Sequence, residues 1–397
     1  MHQALTSLVL KAFRNYPSLS LIVEQKPVIL YGENGSGKTN LLESLSLLVP
    51  GRGFRGASFR EMSQQTNETQ IATQRHHMIT QNDQASLLSK PNAWQVSATA
   101  QGQMGFVRIG TQSLETTHSI RKRHIRINGK ESSQSQLLDH LSMIWLTPAM
   151  DRFFYESPSG RRKFIDRLIA NFDPPHLGRC TRYERLARQR LKILEQSNDP
   201  DWLNTIEEQM ATTSVAICAA RKAFIKELNR NGFTQNEIDL GPFPKLDLQM
   251  IGDIEHALNE KSALEVEEAL IKKYHQSRDL DQRANRTSFG AGRSDLIALH
   301  GASNQLASLS STGQQKSCLI AIILAFAVLC KKHHTSTPIL LLDEINAHLD
   351  HSTRHHLFLL LEKNFGQIWM SGICADDFDF WREKAQFFHV KNGRIMS

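Results

Sequence analysis

Gly32-Glu33-Asn34-Gly35-Ser36-Gly37-Lys38-Thr39 is the stretch that decides the fold. It fits the pattern G-x-x-x-x-G-K-[ST] at every fixed position. Val28-Ile29-Leu30-Tyr31 in front of it is a short apolar run of the kind a buried parallel strand uses. Behind it, Asn40 to Val49 sets Leu41, Leu42, Leu45, Leu48 and Val49 on one side of a helix. A strand, a glycine turn and a helix N-terminus together turn backbone N–H groups and the positive dipole end towards a phosphate chain. The glycines permit positive φ and a close approach of backbone to phosphate. The stretch Gly32, Glu33, Asn34, Gly35, Ser36, Gly37, Lys38, Thr39 and Asn40 is therefore expected to hold ATP. Lys38 would sit on the β- and γ-phosphates, and the Thr39 hydroxyl on Mg²⁺.

Far along the chain, Pro338-Ile339-Leu340-Leu341-Leu342-Asp343-Glu344 reads as an apolar strand ending in two carboxylates. Asp343 takes the place of a second Mg²⁺ contact beside Thr39. Glu344 is placed to orient or deprotonate an attacking water. The plainer reading, a strand end with an acidic cap, loses ground because a phosphate loop stands in the same chain. Ser311-Thr312-Gly313-Gln314-Gln315-Lys316 lies 343 − 311 = 32 residues ahead of Asp343 and just before the apolar run Leu319 to Leu329. Alone it is a good helix cap. As a second phosphate-binding helix start, remote from the first, it suggests that Ser311, Thr312, Gly313 and Gln314 serve a nucleotide held by another copy.

The rest of the chain bounds the class. With 397 residues there is length for two or three domains, and an apolar share of 40% beside a charged share of 22% suits a soluble globular protein. No run of 18 apolar residues occurs; Cys318 to Cys330 is too short to span a bilayer. The N-terminus does not read as a secretory signal. Five scattered cysteines without a C-x-x-C read as reduced packing residues of a cytoplasmic protein. Lys plus Arg exceed Asp plus Glu by 47 − 40 = 7, which permits a polyanionic partner such as DNA without requiring one.

Residues 2–31 read as two strands around a turn at Asn15-Tyr16-Pro17, the second leading into the phosphate loop. From Glu61 to Gly105 the chain is polar, a solvated sheet edge with loops; Trp94 to Ala100 alternates as a strand and Phe106 to Ile109 follows as another. Arg121 to Lys130 is a basic strand ending in an Asn-Gly hairpin turn. After Asp173-Pro174-Pro175 two amphipathic stripes, Tyr183 to Leu194 and Trp202 to Leu228, flank a break at Asn198-Asp199-Pro200 and predict a helical hairpin. A third helix is expected over 252–279. The α/β character then resumes from Arg286, with a strand at Gln367 to Ser371 and a closing hairpin around Asn392-Gly393.

The order of phosphate loop, S-x-G-Q signature, apolar strand with Asp-Glu and a loop ending at Asp350 resembles an ABC-type ATPase head of the SMC class. Within that class the chain is similar to the RecF family of bacterial recombination-mediator ATPases. Matching stretches include Phe13-Arg14-Asn15-Tyr16, Gly32 to Glu43, Gly51 to Arg55, Asn128-Gly129-Lys130, Ser157 to Asp166, Arg293 to Leu296, Ser311 to Lys316 and Leu341 to Asp350. The resemblance implies an α/β P-loop head over 1–178 and 277–397 with an inserted α-helical arm over 179–276. It implies an ATP-dependent head-to-tail homodimer on single- or double-stranded DNA, slow hydrolysis, and work with RecO, RecR and RecA in recombinational repair, replication restart and the SOS response.

Some positions depart from the pattern. Ser310 stands where signatures carry Leu, and Ser371-Gly372-Ile373 has no histidine in the switch position, leaving Ser371 to sense the γ-phosphate. Three basic groups compete for DNA: Arg52, Arg55 and Arg60; Arg121, Lys122, Arg123 and Arg126; and Arg182, Arg185, Arg188, Arg190 and Lys192. Without a base-reading motif, contacts to phosphates are expected. Two other classes remain. A transporter ATPase would need a short insertion and usually a switch histidine, whereas Lys38 and Ser311 are 311 − 38 = 273 residues apart. An SMC-type defence ATPase would need a nuclease's clustered Asp/Glu motif, which is missing.

Overall fold

Burial alternates from Leu8 to Lys11 in Ala4–Phe13 (β1) and from Leu19 to Ile22 in Tyr16–Ile22 (β2), which pair antiparallel through a tight turn at Arg14 and Asn15. They begin a six-stranded antiparallel sheet of order β2-β1-β4-β5-β6-β7. Its other strands are Gln95–Gly102 (β4), Gly105–Leu114 (β5), Lys122–Ile127 (β6) and Lys130–Glu131 (β7). The chain does not run straight from β2 into the phosphate loop as expected. It leaves this sheet, passes Pro27, which has no N–H for a ladder, and enters a second sheet as Val28–Tyr31 (β3). The computed structural model describes residues 3–64, 93–102, 105–114, 122–197, 199–234, 240–301, 303–347 and 349–396. The polar segment expected at a sheet edge falls largely outside them, as does Arg121.

The second sheet has the order β14-β13-β3-β12-β11-β8. Met143–Leu146 (β8), Ile339–Leu342 (β11), Ile368–Gly372 (β12) and Gln386–Lys391 (β13) run parallel with β3; Arg394–Met396 (β14) closes the edge antiparallel. β8, β11 and β12 are buried at every position, which is why each reads as an unbroken apolar run rather than an alternating one. The helix Lys38–Ser46 (α1) follows β3 and buries Leu41, Leu42 and Leu45. The short helix Phe59–Met62 (α2) starts in a capping box at Ser58.

The chain divides into two compact units. One holds both six-stranded sheets, in residues 1–148, 336–358 and 365–397; the other comprises 149–335 and 359–364. The second is built on Pro158–Ile169 (α3), Pro175–Gln196 (α4) and Pro200–Leu228 (α5). Asp199 accepts hydrogen bonds from the N–H groups of Asp201 and Trp202, so α5 starts where the hairpin was expected to turn. The single third helix expected over 252–279 is broken into Asp253–Ala257 (α6) and Ala263–Gln276 (α7), and Arg278–Ala284 (α8) starts at its end. Ser262 and Glu265 form a capping box that restarts the helix at α7. Leu246–Ile251 (β9) and Asp295–His300 (β10) make an antiparallel pair, and Thr312–Lys332 (α9) follows. The helix His351–Asn364 (α10) comes after β11.

The arm expected at 179–276 lies wholly within the second unit, which also takes in α3, α8, β10 and α9. Aromatic packing explains part of this wider reach: Phe172 lies 6.0 Å from Phe224 on α5 and 5.6 Å from Phe326 on α9. By length and composition α9 could cross a membrane, but 78% of its most apolar window is buried inside the protein, as in a core helix.

Ion pairs complete the interior of this unit. Asp166 on α3 receives both arms of Arg221 at 2.8 Å and sits 2.8 Å from His176 Nε2. Burial works against the Asp166 charge, but the hydrogen bonds from Arg221 and His176 prevail and hold its pKa at about 2. Arg190, expected on an exposed basic face, is instead fully buried. It donates to Glu207 at 2.8 Å, Asp281 at 2.6 Å and the Tyr274 carbonyl at 2.7 Å, tying α4 to α5, α7 and α8.

Candidate nucleotide site at three strand ends

Sheet order places β3 beside β12, and β12 beside β11. Because the three strands are parallel, their C-terminal ends lie together, and each delivers one part of a site: the glycine turn, the Asp343-Glu344 pair and Ser371. A crevice outside the carboxyl ends of parallel strands is the usual ligand position in such sheets.

The glycine turn needs its glycines. Gly32 has φ 144° and Gly37 has φ 120°. A Cβ on Gly32 would come within 2.3 Å of the Val390 carbonyl oxygen, and one on Gly37 within 2.6 Å of Asn15 Nδ2. Residues outside the motif hold the loop. Asn15 Nδ2 donates to the Ser36 carbonyl at 3.1 Å, the Tyr16 hydroxyl to that of Gly37 at 3.0 Å, and the Gly393 N–H to that of Ser36 at 2.8 Å. Burial raises the Tyr16 phenol's pKa, so it stays a donor. Arg14 grips the buried Glu43 of α1 through two bonds of 2.9 Å. The sequence marked Phe13 to Tyr16 as a matching stretch and a strand turn; the signal for their role is the placement of that turn against the loop, which no local pattern carries.

Two features fit this cradle to an anion. Ser36 Oγ is buried without a hydrogen-bond partner. Lys38 is also buried, with Nζ donating to the carbonyls of Gly32 at 2.6 Å and Glu33 at 2.8 Å. Burial lowers the Lys38 pKa, and the carboxylates of Glu344 and Asp343 act in the opposite sense. A desolvated ammonium on two neutral carbonyls has much to gain from a phosphate.

The predicted metal pair is brought together: Thr39 Oγ1 donates to Asp343 Oδ1 at 3.0 Å. Ser371 Oγ donates to the same oxygen at 2.6 Å and accepts the Glu344 N–H at 3.0 Å. Glu344 itself has φ 50°, a left-handed backbone unusual for a residue with a side chain. Beyond it Asn346 carries a buried side-chain amide with neither polar atom paired. Asp350 caps α10 through the hydroxyl and N–H of Thr353, which lower its pKa.

The serine turn belongs to the other unit. Ser311 Oγ accepts from Gln314 N–H at 3.3 Å while Ser311 N–H donates to Gln314 Oε1 at 3.0 Å, a capping box that starts α9. Ser311, Thr312 and Gln314 are exposed and Gly313 is half-buried. Leu309, just before them, is 70% exposed.

The basic groups separate. Arg123 is used internally: it donates to Thr111 Oγ1 at 2.8 Å, to the Gly51 carbonyl at 2.7 Å and to the Leu47 carbonyl at the end of α1. Burial lowers its pKa to about 10. Arg55 is partly engaged, donating to Asn40 Oδ1 at 2.8 Å. Arg52, Arg60, Arg126, Arg182, Arg185, Arg188 and Lys192 are exposed, whereas Arg190 is not.

Residues 4–395 match the model of the RecF/RecN/SMC N terminal domain. The chain is 37% identical over 393 residues to a DNA replication and repair protein RecF of Rhizobium rhizogenes, covering 98% of each chain. The chain belongs to the RecF family. A RecF of Mesorhizobium japonicum is likewise 37% identical, over 98% of this chain and 97% of its own. In fold, this RecF-family chain matches a structure described as the recombination mediator protein RecF-ATP in the RecFOR pathway. That match has a TM-score of 0.77 and 21% identity, over 100% and 99% of the two chains. An Smc head domain from Pyrococcus furiosus matches with a TM-score of 0.53 over 99% and 95%, at 14% identity. The ABC-type, SMC-like head expected from the motifs is therefore the fold of this chain.

Proposed function

We propose that this RecF-family chain is an ATP-dependent DNA-binding protein of recombinational repair, whose dimer closes on nucleotide and opens on slow hydrolysis. The observation that carries the proposal is the bonded set at the strand ends: Lys38 on its own loop, and Thr39 and Ser371 on Asp343. Lys38 exchanges the carbonyls of Gly32 and Glu33 for the β- and γ-phosphates, Ser36 and the loop amides of Gly35, Gly37 and Asn40 cradle the chain, and Thr39 and Asp343 hold Mg²⁺. Bound there, the ion neutralises charge on the phosphates. Glu344 takes the proton of the attacking water.

Ser311, Thr312, Gly313 and Gln314 of one copy face the triphosphate held by another. Their exposure at a helix start, with exposed Leu309 beside them, supports a surface completed by a second molecule. In this reading residues 1–178 and 277–397 work as the head and 179–276 as the arm. The exposed arginines bind phosphates of single- or double-stranded DNA, and proteins of the RecO, RecR and RecA kinds act with the dimer in the cytoplasm.

The test is DNA binding by the purified protein with and without ATP, over a salt series and on gapped against blunt duplexes. Binding that tightens with ATP and weakens steeply with salt is the expected result. Binding indifferent to both would overturn the proposal.

A further inference from the structure

We infer that Ser371 is a positioning residue that aims Glu344, acting through the backbone rather than on the nucleotide; this rests on the proposed role of Glu344 as base. One buried hydroxyl does two jobs at once. It donates to Asp343 Oδ1 at 2.6 Å and accepts the N–H of Glu344 at 3.0 Å, so that its lone pair and its proton tie two successive residues to β12. The peptide it holds is the one that departs from the strand. Asp343 N–H still donates to the Leu146 carbonyl at 2.9 Å in register with β8, and the chain reverses at Glu344 with φ 50°. A left-handed residue with a side chain persists where its surroundings fix it.

Ser371 is itself firmly placed. It is fully buried and paired in register with Leu30, and a Cβ on the next residue, Gly372, would meet the Phe378 ring at 2.4 Å. The hydroxyl is thus a fixed post, and the direction of the Glu344 side chain follows from where its backbone is pinned. Removing the post lets the turn relax and misdirects the carboxylate, a loss that falls on the chemical step because a base acts only in a narrow geometry. The sensing role expected for Ser371 would instead predict a loss of nucleotide affinity.

Ser371→Ala and Ser371→Cys are to be compared in single-turnover ATP hydrolysis and nucleotide titration, alone and with Glu344→Gln. The expected result is a tenfold or greater fall in rate for Ser371→Ala, KM and ATP affinity within about threefold of the parent, and partial recovery in Ser371→Cys, whose thiol is a weak donor. In the Glu344→Gln background Ser371→Ala should slow the reaction no further, since both changes remove the same function. Raised KM at unchanged rate, or rate losses that multiply in the double variant, would overturn the positioning role while leaving Glu344 as base. A Glu344→Gln protein that hydrolyses at the parent rate would instead remove the base assignment, and this inference with it. Thermal melts of each variant guard against loss of fold.

Discussion

Two buried cations, Lys38 in one unit and Arg221 in the other, are held in opposite ways. Arg221 is locked: two bonds of 2.8 Å to Asp166 and one of 2.7 Å to the Ala291 carbonyl hold its fork, and although burial lowers its pKa, the Asp166 carboxylate outweighs burial and raises it. Lys38 rests on two neutral carbonyls, and burial prevails and lowers its pKa. The contrast separates a cation matched by a carboxylate from one left on neutral partners, as the proposed phosphate contact of Lys38 requires. Around Lys38 lie an unpaired Ser36 hydroxyl and a left-handed Glu344. A site of this kind gives up stability that a purely structural region keeps.

The largest effect should come from breaking the locked pair. Arg221→Met removes two of the hydrogen bonds to the buried Asp166 carboxylate, leaves it only the 2.8 Å contact with His176 among those described above, and should cost about 3–5 kcal/mol of stability, read by urea unfolding. A loss below about 1 kcal/mol would mean that water reaches Asp166. Lys38→Met should do the reverse, leaving the melting temperature nearly unchanged while calorimetry shows at least a hundredfold loss in ATP affinity. If its stability fell as far as that of Arg221→Met, Lys38 would be a structural cation like Arg221.

Acid sharpens the comparison. The folded pKa of Asp166, held at about 2, lies below its unfolded value near 4, so its contribution is complete above about pH 4 and is lost as pH falls towards 2. That contribution is on the order of 2 kcal/mol. Unfolding free energies measured from pH 6 to pH 3 should fall less steeply in Asp166→Asn than in the parent, and equal slopes would remove the assignment. The smallest effect belongs to Ser311→Ala, which deletes a helix cap and should cost about 1 kcal/mol. Its effect on ATP-driven dimerisation should be much larger than that loss implies.

The candidate site was legible because it is written in contiguous stretches. A loop motif, an apolar strand with two carboxylates and a capped turn each announce themselves locally, and parallel-sheet logic brings two of them together. What supports the site was not legible. Asn15, Tyr16 and Gly393 meet the loop only because β1 turns where it does and because a C-terminal hairpin lies against it, facts of tertiary pairing. Charge runs misled for a related reason. Arg123 and Arg190 look like their exposed neighbours in sequence, yet a half-turn of helix or one step of strand points each inward to carbonyls and carboxylates. The break at Ser262 was missed because its capping box, Ser262 with Glu265, lies inside an otherwise helical stretch.

The central claim is that one triphosphate is gripped by the glycine turn of one molecule and the serine turn of another. Mixing two variants tests it directly. Lys38→Met lacks the first grip and Ser311→Arg blocks the second, so each alone should neither dimerise on ATP nor hydrolyse it. A mixed pair retains one intact site, formed by the glycine turn of the Ser311→Arg copy and Ser311 of the Lys38→Met copy. Equal mixing should therefore restore a measurable fraction of ATP hydrolysis and a dimer in light scattering with ATP. A mixture as inactive as its parts, at concentrations where the parent protein dimerises, would contradict the account.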